Sequence, residues 1–157
     1  HEDDDLRKDE IYGKPKEGIF SSAIARHPKL RQQMALVPSG KEAITGIKIL
    51  DSNENFSLIE ASPKTGRTHQ IRLHLKALQA PILGDPVYGN LSINKQYSIE
   101  KQLLHAYQIE FAHPVTKEKL HFTAPLPQVM KDFLQKWKLG QTECCRQYPT
   151  NCLTNQL

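Results

Sequence analysis

Residues 65–74 read Thr65-Gly66-Arg67-Thr68-His69-Gln70-Ile71-Arg72-Leu73-His74. The run holds two arginines, two histidines and no acidic residue. Pro63 and Gly66 interrupt the strand pattern that precedes it, and the hydroxyl of Thr65 or Thr68 can cap the free N–H groups of a helix. The stretch therefore predicts a helix that begins directly after a strand and continues to about Gln79.

The two faces of this predicted helix differ in character. At 100° per residue, His69, Arg72 and Lys76 share one face, whereas Ile71, Leu75 and Leu78 share the opposite one. No acid occurs between residues 61 and 84, so a phosphate near the helix start would meet the helix dipole, backbone N–H groups and a cationic side chain together. A merely solvated cationic helix is the alternative that the spacing leaves open.

Strand patterns lie on both sides of the helix. Residues 43–50 and 56–61 predict two strands joined by a turn at 51–55, and residues 103–112 and 119–124 predict a hairpin around His113-Pro114. Pro127 opens a further helix, in which five apolar residues recur at helical spacing as core packing: Val129, Met130, Phe133, Leu134 and Trp137. The pattern is typical of a mostly antiparallel architecture.

The hairpin carries aromatic residues and a histidine that have two interpretations. Tyr107, Phe111 and Phe122 are interpreted as sheet core, with a base-stacking platform as the alternative. His105 falls within the alternating pattern and is interpreted as a hydrogen-bonded core histidine.

Length and composition indicate one soluble domain. The chain has 157 residues, of which 38% are hydrophobic and 24% charged, enough for one sizeable core. Its apolar stretches are far shorter than the roughly 18 residues of a membrane span, and the N-terminus lacks signal-peptide features, so no membrane partner is expected. The three cysteines, Cys144, Cys145 and Cys152, form neither an even disulfide framework nor a spaced zinc set. This favours a reducing compartment, the cytoplasm first, with nucleus and organelles also compatible.

The formal net charge of +4 is unevenly distributed. Residues 1–10 contain six acids and two bases, which leaves 19 bases and 11 acids in the rest of the chain. We expect residues 1–12 to be an acidic flexible leader, residues 13–139 to be the folded domain and residues 140–157 to be a flexible tail. A domain with this positive excess suits a polyanionic partner, RNA above all.

The run at 65–74 continues into Pro81-Ile82-Leu83-Gly84-Asp85-Pro86-Val87-Tyr88-Gly89. Together the two segments closely resemble the signature of the RluA-type pseudouridine synthases, enzymes that isomerise uridine within structured RNA. Weaker matches follow the family's order at residues 40–45, 103–106, 111–114 and 122–127. The resemblance covers about Ile19 to Gln135. It implies the fold of the C-terminal part of that catalytic domain, an α+β fold with a mixed, largely antiparallel sheet and flanking helices.

The resemblance implies a cofactor-free isomerase that breaks the bond between uracil and ribose, turns the base and reattaches it through carbon. The family's nucleophile is an aspartate in a His-Arg-Leu-Asp motif, which lies upstream of the matched region and is followed by a pocket tyrosine. Neither motif occurs in this chain. Asp51 has the wrong order and spacing for the nucleophile and lies in a predicted turn, and Asp85 is interpreted as a turn carboxylate bonded to nearby backbone. We therefore expect a C-terminal part that is inactive alone.

Site residues carry over from the resemblance position by position. Arg72 corresponds to the basic residue that pairs with the catalytic aspartate and keeps it ionised. The other polar residues of the run are expected to contact RNA or to support those that do: Lys64, Thr65, Gly66, Arg67, Thr68, His69, Gln70, His74 and Lys76. His69 and His74 lie about 140° apart on a helix, so no metal site is expected from them.

The expected partner is structured RNA, ribosomal or transfer, and the sequence does not say which uridine is modified. Because absent upstream strands would expose sheet edges, self-association or pairing with the missing N-terminal half is also expected. Two alternatives stay open. The chain could be a non-catalytic RNA-binding protein that retains the cationic site, or an assembly module without affinity for RNA.

Overall fold

The computed structural model describes residues 17–141 and 153–156. The elements in chain order are β1 (Glu17–Arg26), β2 (Met34–Leu36), β3 (Lys41–Ser52), β4 (Phe56–Pro63), α1 (Gln70–Ala77), α2 (Leu91–Gln96), β5 (Gln108–Ala112), β6 (Lys119–Thr123), α3 (Gln128–Lys136) and β7 (Leu153–Gln156). One sheet has the strand order β2-β1-β3-β4-β7, and β5 and β6 form a second. Every strand pair in the described ranges is antiparallel. The α+β fold class is confirmed.

The two strands predicted before the motif are present as β3 and β4, and both are longer than the apolar pattern indicated. Asp51 lies within β3 at a register shift, not in the turn where it was expected. Its Oδ1 accepts the N–H of Ser52, and its Oδ2 accepts the N–H of Gly140 at 2.7 Å. Asp51 thus ties β3 to the chain that follows α3.

Helix α1 packs on the sheet through the face that the sequence predicted. Ile71, Leu75 and Leu78 contact a cluster that includes Ile47 of β3 and Ile59 of β4. The start of the helix differs from the prediction, because its N-cap is His69 in a left-handed conformation (φ 57°) without a side-chain cap. Thr65 does not cap the helix, since its hydroxyl accepts the N–H of Ile44 in β3.

A second core lies around α3 and the loops between α1 and β5. Phe56, Leu83, Leu103, Leu126, Met130 and Leu139 form it, and Phe133, Leu134 and Trp137 pack against them. The predicted stripe of α3 is confirmed apart from Val129, which is 49% exposed. This core holds the start of β4, at Phe56, and the start of the 81–89 segment, at Leu83, in place.

The predicted hairpin is present as β5 and β6, but β5 begins at Gln108 and not at Leu103. Phe111 and Phe122 are 43% and 54% exposed, so the prediction that they are sheet core is wrong. The reason is that β5 and β6 pair only with each other in the described ranges and do not join the larger sheet. His105 lies outside the strand, half-buried, with Nε2 3.1 Å from the carbonyl oxygen of Ala124. Its interpretation as hydrogen-bonded is confirmed, and its place in a strand is not.

The acidic leader 1–12 lies outside the described residues, as does most of the 140–157 segment. Within that segment, residues 153–156 form β7, which pairs with β4 from Phe56 to Ile59. The expected domain boundaries stay a prediction. None of the described helices has the length and hydropathy that a membrane span requires.

Candidate functional site

A buried chain of hydrogen bonds fixes α1 to the sheet. The hydroxyl of Thr65 donates to Oε1 of Gln70 at 2.7 Å, and Nε2 of Gln70 donates to the carbonyl of Ile44 and to Oγ1 of Thr45, each at 2.9 Å. Oε1 of Gln70 also accepts the N–H of Arg67. Gln70 is only 4% exposed, so it supports the site from beneath and does not face a ligand.

His74 continues this chain one helical turn later. Its Nδ1 lies 2.8 Å from Oγ1 of Thr45, its Nε2 lies 2.8 Å from Oγ of Ser22, and its ring packs edge-on against Phe20. A neutral imidazole donates from one ring nitrogen and accepts at the other, and the hydroxyls of Thr45 and Ser22 can each donate or accept, so together they satisfy both nitrogens of His74. Burial lowers the pKa of His74 to about 4. The side chain is fully buried, which favours support over RNA contact.

The residues before α1 form the exposed part of the site. Lys64, Gly66, Arg67 and Thr68 are all exposed, and Arg67 directs its Nε to the carbonyl of Glu42 at 2.9 Å. A Cβ built at Gly66 meets nothing within 4 Å, so the backbone there lies open. This short segment presents cationic side chains to solvent beside the N-terminus of the helix.

Tyr88 is the hub of the basic face of α1. Its ring is buried, its hydroxyl accepts the N–H of Met34 at 2.8 Å, and the same oxygen lies 2.9 Å from Nδ1 of His69. The guanidinium carbon of Arg72 lies 4.7 Å from the ring centroid and Nζ of Lys76 lies 5.7 Å from it. Both are cation–π distances. The three residues predicted to share one helix face do so, gathered around one aromatic ring.

Arg72 and Asp85 form a bidentate ion pair. Nε of Arg72 donates to Oδ2 of Asp85 and Nη2 donates to Oδ1, both at 2.8 Å. The side chain of Arg72 is 15% exposed and that of Asp85 is fully buried. Oδ1 of Asp85 also accepts the N–H groups of Val87 and Tyr88. The backbone bonds that the sequence indicated for Asp85 are present, and the pair with Arg72 is an addition that the sequence analysis missed.

The charges at the site follow from these contacts. Burial acts to raise the pKa of Asp85, but the hydrogen bonds from Arg72 and from the Tyr88 and Val87 N–H groups outweigh it and hold that pKa below its usual value. The bond to Asp85 raises the pKa of Arg72. Burial and the nearby charge of Arg72 lower the pKa of His69. The site at neutral pH thus contains a paired guanidinium, a neutral imidazole and exposed cations around them.

Such a site can bind and orient an anion but holds no unengaged carboxylate. Asp85 accepts four hydrogen bonds, two of them from Arg72, and Asp51 lies in β3 bonded to Gly140, so neither is free to act as a nucleophile. No three His, Cys, Asp or Glu side chains come together as a metal cluster within residues 17–141 and 153–156.

Sequence reasoning gave no role to Tyr88, Thr45 or Ser22, which organise the site. The signal for Tyr88 was its place in the second half of the family signature, 81–89. Thr45 had a weaker signal, because it ends the family match at residues 40–45. Ser22 had none, because its contact joins β1 to a helix far along the chain.

The sequence is similar to those of known proteins. A family model described as RNA pseudouridylate synthase matches residues 11–77. An uncharacterized RNA pseudouridine synthase of Chloroflexus aurantiacus is 41% identical over 127 residues, which cover 80% of this chain and 40% of the relative. The ribosomal large subunit pseudouridine synthase D of Nitrosomonas europaea is 40% identical over 125 residues, which cover 76% and 36%. The chain thus spans about two fifths of the length of these relatives.

Solved structures agree in fold. The human RNA pseudouridylate synthase domain containing 4 protein superposes with a TM-score of 0.59 at 25% identity, covering 78% of this chain and 56% of that one. The human domain containing 1 protein gives the same TM-score at 24% identity, covering 78% and 59%. The regions aligned in both leave more than 40% of each neighbour without a counterpart.

Proposed function

We propose that this chain, which belongs to the RluA-type RNA pseudouridine synthase family, is the RNA-positioning part of an enzyme that converts uridine to pseudouridine in structured RNA, ribosomal or transfer. In that reaction the N1–C1′ bond breaks, a C5–C1′ bond forms, C5 loses its hydrogen and N1 gains one. The observation that carries the proposal is the geometry of Arg72, a guanidinium held rigidly at the edge of an exposed cationic segment.

The role we assign to Arg72 is to keep a nucleophilic carboxylate ionised. An opposite charge within about 4 to 6 Å lowers a carboxylate pKa by roughly one to three units and so offsets the cost of burial. A carboxylate nucleophile must be ionised to attack. Because the His-Arg-Leu-Asp motif is absent from these 157 residues, the nucleophile belongs to a part of the family fold that this chain does not contain, and the chain alone is inactive.

RNA contact is assigned to the exposed cations. Lys64, Arg67 and Lys76 are exposed and lie on or next to α1, where they can meet the phosphates that flank a uridine turned out of its stack. His69 lies beside them, with its Nδ1 2.9 Å from the hydroxyl oxygen of Tyr88.

The same geometry suggests where the remainder of the catalytic domain seats. A groove of about 970 Å³ runs between the end of β4, Ile71 of α1 and the chain from Leu104 to Glu110. It continues to the apolar side of β5, where Ile109 is 58% exposed. A two-stranded sheet is marginal by itself, so we assign this groove and hairpin to packing against the upstream half of the domain, or against a second copy when that half is absent.

The test is release of tritium from RNA labelled at C5 of uridine. We expect release by the protein encoded by the whole reading frame, no release by residues 1–157, and no release by the longer protein with Arg72→Ala. Arg67→Ala in the longer protein is the matched control, since it removes an exposed cation at the same helix and should weaken RNA binding without abolishing turnover. Release by residues 1–157 alone would contradict the assignment of the nucleophile. RNA binding without release by either protein would favour the non-catalytic alternative.

A further inference from the structure

The bond pattern of Arg72 leaves one edge of its guanidinium unoccupied. In a side-on pair, Nε and Nη2 donate from the same edge, and this is the edge that Asp85 takes, at 2.8 Å for each bond. The terminal edge, formed by Nη1 and the second hydrogen of Nη2, bonds to no acceptor in the described part of the chain. A guanidinium is a planar fork with five N–H donors, so this terminal edge is a second bidentate donor.

The position of Asp85 is fixed by contacts that do not involve Arg72. Its Oδ1 accepts the N–H groups of Val87 at 2.9 Å and Tyr88 at 3.0 Å, and its backbone carbonyl accepts Nδ2 of Asn94. Gly84 before it has φ +72°, and Gly89 lies against its carbonyl oxygen where a Cβ would not fit. The carboxylate is thus a fixed point of the fold and not a flexible counter-ion.

Tyr88 restrains the same guanidinium from a second direction. Its ring lies 4.7 Å from the guanidinium carbon of Arg72 and its hydroxyl is anchored to the N–H of Met34 in β2. A planar group with one edge bonded and one face covered has a single orientation available. The direction of the terminal edge is therefore set by the 85–88 turn.

We infer that Asp85 is a positioning residue for the reaction: it grips the side edge of Arg72 so that the terminal edge is presented to the nucleophilic carboxylate. The inference rests on the proposed function, because it assigns the residue that orients the arginine named there. Asp85 touches neither the substrate nor the reacting atoms in this role. Asp85 fixes the orientation of the Arg72 guanidinium before the nucleophilic carboxylate contacts it.

Asp85→Asn tests the inference in the protein encoded by the whole reading frame. The amide is isosteric, and its oxygen can still accept the Val87 and Tyr88 N–H groups, so the turn is retained. Its NH₂ group would face Nε of Arg72, donor against donor, and the side-on grip would be lost. We expect kcat for tritium release from 5-tritiated cellular RNA to fall at least tenfold, with KM for that RNA changing less than threefold.

The control is Asn53→Ala. Asn53 holds the β3–β4 turn by accepting the N–H groups of Asn55 and Phe56, as Asp85 holds its own turn, but it makes no contact with Arg72. We expect this variant to lower the unfolding midpoint while leaving kcat within about twofold of the unsubstituted protein. A comparable loss of kcat in Asn53→Ala would show that activity follows stability and would overturn the positioning role.

The pH profile separates orientation from simple charge. If Asp85 orients Arg72, its loss weakens the pair with the nucleophile, and the acid limb of kcat moves to higher pH. If Asp85 acts only as a nearby negative charge, its removal makes the nucleophile easier to ionise, and the acid limb moves to lower pH. Movement to lower pH, or an unchanged kcat, overturns the inference.

The failure of the proposed function would look different, since the unsubstituted protein would then release no tritium at all. If Asp85→Asn does not fold, Arg72→Lys serves as the second variant. Lysine keeps the charge but has no second edge to present, so we expect a loss of kcat of at least tenfold. Retention of kcat by Arg72→Lys would overturn the inference equally.

Discussion

Acidification from pH 7.5 to pH 5 should destabilise this chain through His74. The imidazole is fully buried between Thr45 and Ser22, and burial lowers its pKa from 6.5 to about 4. A histidine whose folded pKa is depressed contributes stability above its unfolded pKa, and that contribution is lost as pH falls towards the folded value. The relevant window is therefore between about pH 6.5 and pH 4.

The magnitude follows from the two pKa values. With 6.5 in the unfolded chain and about 4 in the fold, linkage gives a loss of about 2 kcal/mol at pH 5 and about 3 kcal/mol below pH 4. For a domain of this size, about 2 kcal/mol corresponds to a fall in the melting temperature of about 4 to 8 °C. The pKa of Asp85 is also depressed, but its contribution is lost only below the ordinary aspartate range, outside the pH 7.5 to 5 interval.

Urea unfolding of residues 1–157 at pH 7.5, 6.5, 5.5 and 5 measures the effect. His74→Gln should begin less stable at pH 7.5 but lose about 2 kcal/mol less than the unsubstituted chain over the same interval. The pKa of His69 is lowered too, and its contribution remains in both proteins and cancels in the comparison. His121→Gln, which replaces an exposed histidine of β6, should keep the original pH dependence. A His74→Gln slope equal to that of the unsubstituted chain would refute the burial argument.

Three further predictions concern other parts of the molecule. Gly84→Ala should lower the free energy of unfolding in urea by more than about 2 kcal/mol, because φ is +72° and the new Cβ would overlap the carbonyl oxygen of Lys101. An unchanged unfolding midpoint would contradict this close approach. Arg67→Ala should reduce the slope of log K against log salt for RNA binding by about 0.7 to 0.9, the share of one phosphate contact, and an unchanged slope would remove Arg67 from the interface. The double variant Phe111→Ser and Phe122→Ser should shift residues 1–157 towards monomer in sedimentation velocity. Because both rings are exposed, the melting temperature should change little. Equal association of the variant and the unsubstituted chain would exclude the hairpin as the contact surface.

The sequence predicted the parts of this fold whose physics is local. β3 alternates regularly between buried and half-buried positions, β4 begins with four consecutive buried residues, and α1 and α3 carry apolar stripes at helical spacing. β1 was not predicted, although it pairs with β3 over eight residues. Its centre reads Ser21-Ser22-Ala23, which has little strand propensity, and β3 holds it in place through hydrogen bonds that no local pattern reports.

Two errors share one cause, which is that the state of a side chain depends on what covers it. Phe111 and Phe122 alternate correctly for a sheet core, but they are 43% and 54% exposed and the sheet that carries them has only two strands. Thr65 has the right position for a helix cap, but the N–H of Ile44 reaches its hydroxyl from another strand. Alternation and capping patterns show that a side chain can pack in a core or cap a helix. Long-range contacts decide whether it does so in the fold.

The ion pair between Arg72 and Asp85 bears on the choice between an isomerase and a protein that only binds RNA. A binding surface gains from cations that keep their full charge in solvent, as Arg67 and Lys76 do at exposed positions. The positive charge of Arg72 is instead largely compensated by the buried carboxylate of Asp85. Burying two charges has a desolvation cost, which the attraction between them offsets only when the geometry of the pair is good. A compensated guanidinium attracts phosphate weakly, but the ion pair holds the N–H groups of its terminal edge in a fixed direction. Loss of Arg72 in a pure binding protein should therefore weaken RNA affinity less than loss of Arg67 does. In the isomerase, loss of Arg72 should instead reduce turnover more than loss of Arg67 does, because the orientation of the Arg72 guanidinium matters there more than the total charge.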